Sequence, residues 1–211
     1  MQERLAQSHR VTSRGAASSI MVGKSQARRV PEEPGDAAIV AAVRGGERDA
    51  FRVLVVRYQD ALYRYALRMT GQADVAADLV QAALVKAYAN LSRCRDPDRF
   101  GAWLFRIAAN GCKDYLKNRR RRDVSLDVRD AVTMAAADNP GMDLERSELK
   151  VLLADALERL PDQQREAFVL KHVEGRSYEE IAEILGVSVP ALKMRVHRAR
   201  EALRAVLEEV L

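Results

Sequence analysis

Within the segment SYEEIAEILGVSVPALKMRVHRAR (Ser177–Arg200), a few residues restrict the folding of the chain more than any compositional total does. Ser177 and Glu180 have the spacing at which a hydroxyl and a carboxylate satisfy each other's orphan backbone N–H groups at a helix start. Tyr178, Ile181, Ala182 and Leu185 then share one helical face. Gly186 stands where a helix ends in a left-handed residue. Ser188 suits the cap of a second helix and Pro190 its first turn. The spacing predicts two helices around a tight turn, a helix-turn-helix. The second helix carries an apolar seam of Leu192, Val196, Ala199, Leu203, Val206 and Val210. Lys193, Met194, His197 and Arg198 fall on the opposite face, flanked by Arg195 and Arg200. A helix entering a DNA groove needs this division: an apolar back against its own domain, and polar and basic side chains toward base edges and phosphates. The alternative is an ordinary bundle with a solvated basic face. The agreement of cap, turn and basic face favours DNA.

The remainder also reads as helix, without a strand pattern or a repeat. Asp36 is positioned to cap a short helix ending at Gly45-Gly46. Phe51, Leu54, Val55, Tyr58, Leu62, Tyr65, Ala66 and Met69 make a stripe that Gly71 stops. Asp74 is positioned to cap a third helix with Leu79, Val80, Ala83, Leu84, Ala87, Tyr88 and Leu91 on one side. The Pro and Asp residues of SRCRDPDR mark a loop. A fourth helix follows, with Phe100, Trp103, Leu104, Ile107, Ala108, Gly111, Tyr115 and Leu116 aligned, and runs into KNRRRR. Beyond a stretch containing DNPG, Leu149, Leu152, Leu153, Ala156, Leu157 and Leu160 form another stripe. Pro161 starts the next helix and Gly175 ends it. The expected architecture is all-α: a disordered basic tail (1–35), a helical domain (36–122), a flexible linker (123–146) and a helix-turn-helix domain (147–211).

A formal net charge of +5 over 211 residues suits a polyanionic partner. Aromatics are only 5%, so the cores must be built mainly from Leu, Val, Ile and Ala. The two cysteines, Cys94 and Cys112, form no CxxC or Cys/His cluster, so the expectation is reduced thiols and no zinc site. No apolar run reaches membrane-spanning length, and the N-terminus lacks a secretory core, which together predict a cytoplasmic protein. Met21 is a second candidate start. SIMVGKS ends like a phosphate-binding loop, but Ser18 stands where its first glycine belongs and no strand precedes it.

The helix ending in KNRRRR is a second candidate DNA surface. Lys113, Lys117, Arg119, Arg120, Arg121 and Arg122 would follow a phosphate backbone, and Phe100, Trp103, Asn110 and Tyr115 lie on the same helix. Aromatics can stack on unpaired bases at about 1–3 kcal/mol per base. Against this, Trp103 and Tyr115 fit a core equally well, and Phe100 and Ile107 read as core outright.

Two blocks carry a resemblance. DAFRVLVVRYQDALYRYALRMTG, ADLVQAALVKAY and FGAWLFRIAANGCKDYLKNRRRR make one; LERLPDQQREAFVLKHVEGRSYEEIAEILGVSVPALKMRVHRAREAL makes the other. In this order and spacing they resemble regions two and four of bacterial extracytoplasmic-function (ECF) sigma factors. The likeness runs from Asp36 to Leu211 and, as in that family, no large intermediate domain is present. It implies a non-enzymatic initiation factor without a cofactor, acting with core RNA polymerase and promoter DNA and held by an anti-sigma factor. By position, Asp78, Leu79, Val80 and Gln81 would dock on the clamp helices of the largest polymerase subunit, and the flap of the second-largest would be a further contact. The loop from Cys94 to Phe100 would bind the minus-ten non-template strand, together with Phe100, Trp103, Asn110, Lys113, Lys117, Arg119, Arg120, Arg121 and Arg122. Ser188, Lys193, Met194, Arg195, His197, Arg198 and Arg200 would read the minus-thirty-five duplex. Ala82 stands where the family usually has an acid, Leu84 where Phe is common, and Pro190 where a small or polar residue is usual; these bear on clamp docking and on promoter sequence.

Two other classes remain. A ligand-controlled repressor or activator would pair the helix-turn-helix with a helical sensor, and would need a pocket but no basic–aromatic helix. An enzyme would need a clustered nucleophile and base, paired carboxylates or metal ligands, and the sequence offers none.

Overall fold

The computed structural model describes residues 34–123 and 152–208; the predicted linker beyond Asp123, nearly all of the tail, Leu149 and Val210 lie outside them. The described residues are helical, with no strand among them. Helix α1 (Asp36–Arg44), α2 (Phe51–Thr70), α3 (Ala73–Ala89) and α4 (Phe100–Asp123) form the first group. The second comprises α5 (152–158), α6 (Asp162–Phe168, continued by a wide turn over Val169–Val173), α7 (Tyr178–Leu185) and α8 (Val189–Glu208).

The predicted punctuation holds at most ends. Gly71 closes α2 with φ 71°, and Gly186 closes α7 with φ 66°, the left-handed region glycine enters without steric cost. The Ser177–Glu180 capping box is complete in both directions. Two expected caps are different. Asp74 lies inside the first turn of α3, where no side chain caps the helix. Asp36 likewise lies inside α1; its carboxylate accepts from Arg57 and Tyr58 of α2, so it ties two helices together. Tyr58 in turn lies against Gly101, where a Cβ would come within 2.7 Å of its hydroxyl oxygen. Only glycine allows that approach at the start of α4.

The two groups share a buried core. Leu54, Leu62, Tyr65, Leu104 and Phe105 of the first continue into Ala167, Leu170, Ile181, Ile184, Leu192 and Val196 of the second. A smaller core joins Ala156, Leu157 and Leu160 to Ala199 and Leu203 of α8. Two bodies around a joint were expected from sequence; their mutual burial was not.

Candidate nucleic-acid interface

Burial sorts α8 into two sides. Leu192, Val196, Ala199 and Leu203 are 0–4% exposed, as the seam predicts. Lys193, Met194, His197, Arg198 and Arg200 are exposed, with Met194 at 50%. His197 Nε2 lies 3.3 Å from a Glu201 carboxylate oxygen one turn along the same helix, and Lys193 lies over the Tyr178 ring, 5.6 Å from its centroid. Two predicted members of this face differ. The Ser188 hydroxyl accepts from the Ala191 N–H at 3.4 Å, so it serves the helix start. Arg195 is half-buried, and its charge reaches Glu166.

On α4, Asn110, Lys117, Arg121 and Arg122 are exposed. Phe100 is not available for stacking: it is 0% exposed and its ring meets Phe51, Tyr58 and Trp103 at centroid distances of 6.4, 5.7 and 5.8 Å. It is a core residue, because the helix starts against α1 and α2. Trp103 is half-buried, one side on that cluster. Arg119 is half-buried and reaches toward the Thr70 carbonyl at 3.5 Å.

The loop ahead of α4 is folded. Leu91 and Cys94 are buried at its base, and Arg95, Asp96, Asp98 and Arg99 are exposed at its tip. The Asp96 carboxylate accepts from the Asp98 N–H at 3.2 Å, starting a short turn over Pro97–Arg99.

Several basic groups near this face are paired with acids from the second group. Lys113 meets Glu166 at 3.2 Å, Arg120 meets Asp162, Arg99 meets Glu183 at 2.6 Å and Arg64 meets Glu174 at 3.1 Å. Glu166 is 1% exposed and also accepts from the Tyr65 hydroxyl at 3.0 Å. Burial pushes its carboxyl above the usual range, with Lys113 and Tyr65 opposing. Arg176 stacks over Phe105, 4.1 Å from the ring centroid. Periodicity missed these pairs because it reports which face of a helix is apolar, not which distant element covers it.

A third surface lies between α2 and α3. An open groove of about 820 Å³ is lined by Phe51, Val55, Tyr63, Val80, Leu84 and Tyr88, with Asp60 and Gln81 also on its wall. Asp78 and Gln81 are exposed. Val80, 8% exposed, lines the groove, and Leu79 is half-buried and packs near Gly111 of α4. Of the four expected docking residues, Asp78 and Gln81 are the exposed two. Val85, 62% exposed beside this groove, was the available sequence signal, an apolar residue off the buried stripe.

Both cysteines are buried and free. Burial pushes the Cys112 thiol up to about 12, and raises that of Cys94. Among the described residues no His, Cys, Asp and Glu cluster could hold a metal, and no helix is long and apolar enough to cross a membrane.

Comparison with known proteins adds an independent line. The pattern of Sigma-70 region 2 matches residues 54–122, and that of Sigma-70, region 4, matches residues 150–203. The ECF RNA polymerase sigma-E factor of Haemophilus influenzae is 33% identical over 188 residues, covering 85% of this chain and 99% of its own. That of Escherichia coli K12 is 37% identical, covering 82% and 94%. Among solved structures, the sigma factor RpoE of Bartonella quintana, in complex with the anti-sigma factor NepR, superposes with a TM-score of 0.65 at 31% identity, covering 76% of this chain and 98% of its own. CnrH, in complex with the cytosolic domain of CnrY, gives 0.62 at 32% identity, covering 82% and 97%.

Proposed function

The chain belongs to the ECF sigma factors of RNA polymerase, and from that premise we propose how its surfaces divide the work of directing promoter-specific initiation. A sigma factor makes and breaks no covalent bond; its action is binding. The two-sided burial of α8 carries the reading. Its apolar side is fixed in the core, which leaves Lys193, Met194, His197 and Arg198 in one outward row for the minus-thirty-five duplex. Arg200 and Arg195 add phosphate contacts, and Ser188 holds the start of the helix.

The loop from Cys94 to Arg99, with Trp103, Asn110, Lys117, Arg121 and Arg122, takes the opened minus-ten strand. Lys113 and Arg120 join this surface when Glu166 and Asp162 release them. Separating a duplex costs on the order of 1.4 kcal/mol per stacked step. Stacking and phosphate contacts on the captured strand, with contacts made by polymerase, offset that cost. Asp78, Gln81 and the apolar groove between α2 and α3 receive the clamp helices of core polymerase, while the second group meets the flap. An anti-sigma factor is a further partner; the solved relatives in complexes with NepR and CnrY support it.

The test is transcription by core polymerase with the full chain on templates varied base by base in the upstream element. Arg198→Ala should relax preference at one or two positions by about 1–3 kcal/mol. Equal weakening on every upstream sequence would reduce Arg198 to a phosphate contact.

A further inference from the structure

One side chain from outside the proposed DNA surface holds the loop that faces the minus-ten strand. Arg44 ends α1, far in sequence from that loop. Its Nη2 donates to the Leu91 carbonyl at 2.8 Å and to the Cys94 carbonyl at 2.5 Å. The two carbonyls stand at the ends of one short turn, and the Cys94 N–H also donates to the Leu91 carbonyl at 3.1 Å. The Cys94 thiol continues the chain of contacts toward the Asp96 carbonyl at 3.4 Å, and the Asp96 carboxylate starts the next turn. The base of the loop is therefore fixed to α1 by charge-assisted bonds from a planar cation. The exposed tip lies between that base, anchored by the buried Leu91 and Cys94, and the buried Phe100 that starts α4. The position of its first residues therefore follows from the base.

We propose that Arg44 is a positioning residue for minus-ten recognition: by holding the Leu91 and Cys94 carbonyls it sets the register at which Arg95 and Asp98 meet the separated strand. This rests on the reading that the loop receives that strand. A group that must discriminate bases has to be held before the base arrives, because an unfixed loop would lose ordering entropy on every encounter. Neutral or shorter side chains at position 44 leave the loop folded through its buried anchors but no longer fixed in register. Arg44→Lys keeps a cation that reaches one carbonyl, without the guanidinium plane.

The experiment uses the full chain with core polymerase and two template series, one varied in the minus-ten element and one in the upstream element. Arg44→Gln should lower discrimination in the minus-ten series about fivefold or more, the low end for one base contact. The upstream series should be unchanged, and Arg44→Lys should recover part of the loss. Hydrogen exchange should rise at amides 92–96 and 98. Val40→Ala, a core truncation in the same helix, controls for lost stability. If it lowers minus-ten discrimination as much as Arg44→Gln does, the positioning role fails. Unchanged discrimination in Arg44→Gln overturns it too, provided Arg95→Ala or Asp98→Ala still shifts minus-ten preference. If neither tip variant shifts preference, the reading of the loop itself falls, and the proposal with it.

Discussion

On α8 the outward polar contacts, His197 with Glu201 and the ion pair Arg204–Glu208, stay within the helix, so the face remains turned to solvent. On α4 and its surroundings, Lys113, Arg120, Arg99 and Arg64 meet acids that follow them by tens of residues. Both regions read as basic helices. The difference shows that a run of Lys and Arg gives the sign of a surface but not its availability. Availability is set by whatever packs on top, and here the second helical group supplies an acid for each of these four cations. An anion approaching Lys113 or Arg120 would compete with carboxylates already in place. On α8, by contrast, Arg198 and Arg200 are exposed, and Lys193 rests on the Tyr178 ring without an acid partner among the described residues.

The strongest way to break the comparison is to remove the packing beneath it. Phe105 is 0% exposed, lies edge-on to Tyr65 with centroids 6.0 Å apart and supports Arg176. Phe105→Ala should cost about 3–5 kcal/mol in denaturant unfolding, through lost burial and the cavity left behind. Met194→Ala, on the free face of α8, should stay within about 0.5 kcal/mol. Similar costs for both would mean that the covered face contributes no more to stability than the open one.

How much of this was legible depends on the range of the interaction. The Ser177–Glu180 box, the left-handed Gly186 and the seam of α8 from Leu192 to Leu203 are set by residues a few positions apart, and each stands as read. So does the stop at Gly71. Asp36 shows where local reasoning misleads: its side chain suits a cap, yet Arg57 and Tyr58 offer better partners once α2 folds alongside. Phe100 lies inside a matched block, but its side chain points inward, because a matching block fixes the backbone path and not every outward face. The burial of Glu166 on Tyr65 could not be read at all, since it joins positions 101 residues apart.

A smaller effect separates ion pairs across the two groups from those along α8. The Glu174 side chain is 2% exposed, and one of its carboxylate oxygens has no hydrogen-bond partner among the described residues. Removing Arg64 would strand that buried charge, so Arg64→Ala should cost about 1–3 kcal/mol. Arg204→Ala breaks an exposed pair one helical turn long and should cost about 0.3–0.5 kcal/mol. Chemical denaturation of both variants measures the contrast, and equal values would show Glu174 to be better solvated than its burial implies.

Glu166 sharpens the comparison through pH. Its folded pKa is raised above the ordinary 4.5, mainly by burial. As pH rises through 4.5 the unfolded chain releases this proton first, so the folded state loses stability until the raised value is passed. Below 4.5 both states hold the proton and the penalty vanishes. Glu166→Gln should therefore improve relative to the parent between pH 4 and pH 7. Parallel stability curves would show that Lys113 and Tyr65 fully offset the burial.

The mildest expected effect comes from His172, at the end of the wide turn after α6. Its ring lies beside Phe168 with centroids 4.8 Å apart. Its pKa is lowered from the ordinary 6.5 by burial, then by the charges of Arg200 and Lys171. The sign is opposite to that of Glu166. Just below pH 6.5 the unfolded chain takes up a proton that the folded chain does not, so stability rises with pH across this window and is lost as pH falls toward the depressed value. The residue is largely exposed, so solvent and salt screen most of the effect. His172→Gln should flatten stability between pH 5 and pH 7 slightly, and Arg200→Ala should flatten it less, since burial is the larger cause. Thermal melts at low salt across that range provide the measurement. A curve already flat there in a chain carrying Glu166→Gln, which removes the opposing slope, would show that neither burial nor the Arg200 and Lys171 charges shift the ring.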